Sequence, residues 1–63
     1  MDGIDELAQW MLARCASHGH SIAEVADRHA HEALRAELCR LARQWQLRIR
    51  TVARDGRVGV THR

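Results

Sequence analysis

No lysine, proline, phenylalanine or tyrosine occurs in this chain, and cysteine occurs only at positions 15 and 39. Each shortage narrows what the 63 residues can be. Cys15 and Cys39 are too few for the disulfide scaffold of a small secreted domain, and they form no short-spaced pair of the zinc-finger kind. No stretch approaches the roughly 20 consecutive apolar residues of a membrane-spanning helix. An acidic N-terminus argues against a secretory leader. A cytoplasmic protein with reduced thiols and no membrane contact is the expectation. Trp10 and Trp45 are the whole aromatic content, so platforms for base stacking are few. Without lysine the basic set is all arginine, whose planar fork suits bidentate contact with phosphate or carboxylate. A GC-rich coding sequence accounts for the missing lysine, but not for where the arginines sit.

Catalytic signatures are missing too. There is no glycine-rich phosphate loop, no nucleophile elbow and no supported Ser/His/Asp set, so no enzymatic activity is expected. Cys15, His18, His20, His29, His31 and Cys39 could suggest a metal, but their spacing fits no standard finger. Cys15 lies on an apolar stripe, where buried free cysteine is common. The histidines read as turn and cap residues, and neither a metal nor another cofactor is expected.

The charge distribution is what the chain does offer. Residues 1–34 hold two arginines against six carboxylates, a net −4, and residues 35–63 hold eight arginines against two, a net +6. The overall +2 hides this segregation. A basic half points to a polyanion or an acidic protein surface as partner. At this length a domain buries only about 60% of its unfolded surface. Idealised packing or a partner subunit must compensate.

Residues 4–17 predict an amphipathic helix. Ile4, Leu7, Ala8, Met11, Leu12 and Cys15 share one face. Asp2, Asp5 and Glu6 sit at its N-terminal end, where the macrodipole favours negative charge, and Gly19 is its C-cap. Trp10 falls on the flank, either packed under the C-terminal hairpin or available as a dimer contact. Ser21-Ile22-Ala23-Glu24 is a capping-box pattern that predicts a second helix with Ile22, Val25 and Ala26 inward. Glu24 and Asp27 would be its first-turn acids. A further stripe runs Leu34, Leu38, Leu41, Ala42, Trp45. The two stripes join as one helix of roughly 25 residues, or split at a tight turn near His29–His31. The small size of the domain favours the split, although no glycine or proline forces it.

Leu47 to Arg63 alternates about Asp55-Gly56, the strongest short-range hairpin signal, because a type I′ turn needs positive φ at both central residues. Arg54 then opposes Arg57, Ala53 opposes Val58, Thr51 opposes Val60 and Ile49 opposes His62. One face is mostly apolar, and the other collects Arg48, Arg50, Arg54, Arg57 and Arg63 around Val52, Gly59 and Thr61. Arg54 opposite Arg57 destabilises a bare hairpin, a cost that a bound anion would relieve.

The order of elements, on Ser21 to Ala26, Glu32 to Gln46 and Leu47 to Arg63, resembles a small winged helix-turn-helix DNA-binding domain. The turn between its second and third helices lacks the glycine often found there. The resemblance implies an α+β fold of two or three helices followed by a two-stranded β-hairpin. It also implies a third helix in the major groove through Arg35, Arg40 and Arg43, and a wing on the phosphate backbone through Arg48, Arg50, Arg54 and Arg57. A fainter resemblance, on Arg35, Leu41, Ala42, Leu47 and Arg57-Val58-Gly59-Val60, is to the single-stranded nucleic-acid-binding domain named for an arginine and a histidine with three residues between them. Here Cys39 stands at the histidine's place. The expectation is a dimeric DNA-binding regulator that prefers double-stranded DNA and joins its copies through Trp10. A protein-interaction module or inhibitor docking its basic hairpin on an acidic partner is the alternative.

Overall fold

A computed structural model describes residues 3–63. Its elements are α1 (Ile4–His18), β1 (His20–Glu24), α2 (Arg28–Gln44), β2 (Ile49–Arg54) and β3 (Arg57–His62). The class is α+β: two helices and a three-stranded antiparallel sheet of order β1-β3-β2.

The first helix follows its stripe. Ala8, Met11, Leu12 and Cys15 are buried, and Ile4 and Leu7 pack partly beside them. Asp5 and Glu6 occupy the first turn; Asp2 lies outside the described residues. Gly19 ends the helix at φ 90°, its N–H donated to the Cys15 carbonyl at 2.8 Å. Glycine adopts that left-handed conformation without the steric cost a Cβ brings.

The capping-box segment does not start a helix. His20–Glu24 is a strand, with Ser21 opposite Val60 and Ala23 opposite Val58. Small Ser21 and Ala23 turn inward, while Ile22 turns out and is 62% exposed. Backbone bonds from His62 N–H to the Gly19 carbonyl and from Val25 N–H to the Gly56 carbonyl, 2.9 and 2.7 Å, close the two ends of the pairing. A whole ladder of backbone bonds outweighs one local cap, so tertiary pairing overrides the local helix signal. Glu24 is therefore a strand residue, and Val25 and Ala26 lie in the connection that follows.

Asp27 is the N-cap in use, its carboxylate accepting the His29 N–H at 3.0 Å. From there α2 runs unbroken for 17 residues. It matches neither the favoured pair of helices nor the single helix from Ser21, and no turn interrupts His29–His31. The His31 ring instead reaches back to the Val25 carbonyl. Leu34, Leu38, Leu41 and Ala42 are buried as expected, but Trp45 is the C-cap and 42% exposed, so it is not core. The chain leaves α2 through Gln46 at φ 57°, with Leu47 N–H to the Ala42 carbonyl and Gln46 N–H to the Arg43 carbonyl. That is a Schellman ending with glutamine where glycine is usual.

The C-terminal hairpin has the register expected from its alternation, Arg54 opposite Arg57 through Ile49 opposite His62. Asp55 and Gly56 both take positive φ, 51° and 73°. The hairpin is not free-standing, because β1 pairs with the far side of β3. Beneath the helices α1 packs on β1 and β3, and α2 packs on β2 and β3. Val58 and Val60 of the central strand are fully buried against both.

Candidate functional site

Both helices cover one face of the sheet. The register defines the other as three rows: His20, Thr61 and Arg50; Ile22, Gly59 and Val52; Glu24, Arg57 and Arg54. Alternation points these nine positions, eight of which carry a side chain, away from the core. The middle row is apolar, with Ile22 and Val52 at least half exposed on either side of a glycine. Between them lies an open groove of about 450 Å³, with Arg54, Arg57 and Thr61 among its rim residues.

Arg48, Arg50, Arg54 and Arg57 are all exposed. The structure adds acids that the hairpin alone does not show. Glu24 Oε1 comes within 4.0 Å of Arg57 Nε across β1 and β3, and Asp55 lies 3.9 Å from Arg54 Nε. The repulsion between Arg54 and Arg57 is therefore partly offset within the chain. It is the strand conformation of residues 20–24 that sets Glu24 opposite Arg57.

The three α2 arginines expected to enter the major groove go to different places. Arg35 leans toward the sheet, its Nε donating to Thr51 Oγ1 on β2 at 3.1 Å. Arg43 lines a second groove, of about 690 Å³, with Cys39, Arg48 and Arg63, where the end of α2 meets the start of β2. Arg40 turns the other way. It clamps Glu37 with two bonds of 2.7 and 2.6 Å and stands 3.6 Å from Asp5 on α1. The Arg40 guanidinium pulls the Glu37 carboxyl down to about 2, helped by a bond from Asp5. Asp5 moves up, chiefly because it shares that bond with Glu37. The expected face of Arg35, Arg40 and Arg43 is thus divided, and Arg40 is already neutralised.

The strand order turns a charge gradient in sequence into one in space. β2 is an edge strand on the far side from β1, and α2 lies over it. Among the described residues, Arg35, Arg43, Arg48 and Arg50 make no ion pair with a carboxylate. Trp10 is 51% exposed on α1, where the Arg14 guanidinium sits 5.3 Å over its ring, and it is not part of the buried core. Among the described residues no three His, Cys, Asp or Glu side chains come together as a metal site, and no helix is long and apolar enough to cross a membrane. Burial raises the Cys15 thiol, whereas Cys39 is exposed.

These features define a two-layer α+β domain with an open sheet face and an arginine-rich edge. No protein-family model, curated protein or solved structure matches the chain.

Proposed function

We propose that this chain is a small nucleic-acid-binding regulator that holds a phosphate backbone along its β2 flank. One observation carries the reading: arginines from α2, from β2 and from the segment between them meet at one edge of the sheet without carboxylate partners. Duplex DNA is the first ligand to test, because the major groove admits either a helix or a β-ribbon and both carry arginine here. Base reading by a separate recognition helix loses support, since residues 20–24 are a strand and α2 is a single helix. Trp10, exposed on α1, is the surface for joining a second copy on paired half-sites.

Titration onto random duplex DNA at low and moderate salt tests the reading. Affinity should fall steeply with salt. Arg50→Ala with Arg54→Ala should weaken binding to all sequences and reduce the slope of log K against log salt by about 0.9 for each phosphate left without its arginine. An unchanged slope would remove β2 from the interface.

A second reading rests on Ile22 and Val52, exposed beside basic groups on one face. Such a surface also suits an acidic protein with an apolar anchor. A module of that kind would ignore DNA even at low salt.

A further inference from the structure

One edge of the sheet has neither a partner nor a guard. With the order β1-β3-β2, β1 and β2 are the outer strands. The bonds from Val25 N–H to the Gly56 carbonyl and from His62 N–H to the Gly19 carbonyl fix which residues of β1 bond to β3. Bonded pairs alternate along an antiparallel ladder, so Ser21 and Ala23 bond inward. His20, Ile22 and Glu24 therefore turn their N–H and C=O groups to the free edge, and all three residues are exposed. Such a row is a template for another strand. The edge lacks proline, lysine and a bulge, the usual protections, and holds Ile22, 62% exposed, at its centre. The β2 edge differs, because Arg48, Arg50 and Arg54 stand exposed beside it. A second copy pairing there would bring these arginines against their own kind, which destabilises a sheet pair. The helix layer marks the β1 edge as well. Asp5 on α1 stands 3.6 Å from Arg40 on α2, so that side of α1 faces α2. Trp10 lies about 140° further round the helix, on the flank away from α2. Since α1 packs on β1 and β3 while α2 packs on β2 and β3, that flank borders the β1 edge. Trp10, 51% exposed, and Ile22 thus lie on the two sides of one unpaired strand edge.

We propose that two copies of this chain join through β1, antiparallel about Ile22, into one continuous sheet with both helix layers on the same face. This rests on the second copy invoked above and on nothing about its ligand. The edge is self-complementary in that register. Ile22 opposes Ile22 of the second copy at the two-fold axis, His20 opposes Glu24, and Glu24 opposes His20. A carboxylate meets an imidazole at both ends, and aliphatic meets aliphatic at the centre. The outward N–H and C=O groups of His20, Ile22 and Glu24 satisfy one another, because each opposed pair of this kind exchanges both its bonds. A shift of one residue would set outward groups against inward ones. A shift of two would leave an end residue of β1 facing no strand. The Trp10 rings of the two copies border the seam on the helix side. The added burial compensates a chain too short to bury much of its surface alone.

The experiment is sedimentation of the chain without nucleic acid across a dilution series, read together with amide hydrogen exchange. The concentrated chain should be a dimer in which the amides of His20, Ile22 and Glu24 are protected. Dilution should release them, while those of Ser21 and Ala23, bonded to β3, stay protected. Ile22→Lys, which sets like charges together at the axis, should weaken the dimer at least about tenfold. Glu24→His should weaken it too, and adding His20→Glu should restore it, because the exchanged pair is complementary again. That charge-exchange series keeps the test available if Ile22→Lys disturbs the fold, which thermal melting checks. A dimer whose His20, Ile22 and Glu24 amides exchange freely, or one indifferent to both sets of substitutions, would place the joint elsewhere and overturn the seam. A chain that stays monomeric at millimolar concentration would overturn it as well. Salt-dependent binding to duplex DNA is a separate titration, and its outcome leaves the seam untouched.

Discussion

The two faces of β3 are made from alternate residues of one strand and obey different rules. Val58 and Val60 point inward, fully buried beneath α1 and α2. Arg57, Gly59 and Thr61 point outward, into a surface with no covering element among the described residues. Packing dictates the inner residues, because buried apolar area is what holds so small a domain together. It places no demand on the outer ones. A row of two exposed aliphatic side chains around a glycine is therefore informative about use rather than stability.

Substitutions on the two faces should separate sharply. Leu38→Ala, beneath the sheet, is expected to cost about 2–5 kcal/mol. Against a total of about 3–9 kcal/mol for a chain of this length, that loss removes a large part of the stability. Val52→Ala, on the outer face, should stay within about 0.5 kcal/mol. Urea denaturation of the pair reads both values, and equal losses would show that the outer face is covered in solution.

A smaller effect sharpens the inner side of the contrast. Ser21 is buried on β1 with no hydrogen-bond partner for its Oγ. Ser21→Ala should stabilise the fold by about 1 kcal/mol, because an unpaired buried hydroxyl carries an uncompensated desolvation cost. A loss of stability would mean that the hydroxyl is satisfied in solution.

The smallest effect belongs to the acidic flank. Glu37 falls from its ordinary 4.5 to about 2 beside Arg40. A depressed carboxylate contributes stability that is present above pH 4.5 and is lost as the pH falls toward 2. Asp5 is raised, so protonating it favours the fold and opposes part of that loss. Both groups are exposed, and solvent screens them. Melting temperatures between about pH 6 and pH 2 should decline less for Glu37→Gln than for the wild type, and identical profiles would remove the Arg40 clamp from the stability of the fold.

Legibility in the sequence followed the range of the interactions. The α1 stripe, the Gly19 cap and the Asp55-Gly56 hairpin with its register are local patterns, and they appear as expected. β1 was hidden because its partner is β3, at the other end of the chain, while Ser21-Ile22-Ala23-Glu24 carries a local helix signal. Ser21 was the expected N-cap, but Asp27, expected as a first-turn acid, is the residue that starts the helix. The directions of Arg35 and Arg40 were illegible for a related reason. A helical wheel shows that both are polar-facing. It cannot show that one side of α2 borders β2 while the other meets Asp5 and Glu37.

The sheet order β1-β3-β2 carries a cost in time. Among the five elements the central strand is the last to be synthesised, so neither neighbour has its ladder until residues 57–62 leave the ribosome. β1 waits longest, unpaired and bearing the exposed Ile22. Closing its ladder joins Ser21 to Val60 across most of the chain, a long-range contact of the kind that slows folding. Until then α1 and α2 can pair through their leucines, but the nascent chain has no sheet for them to cover.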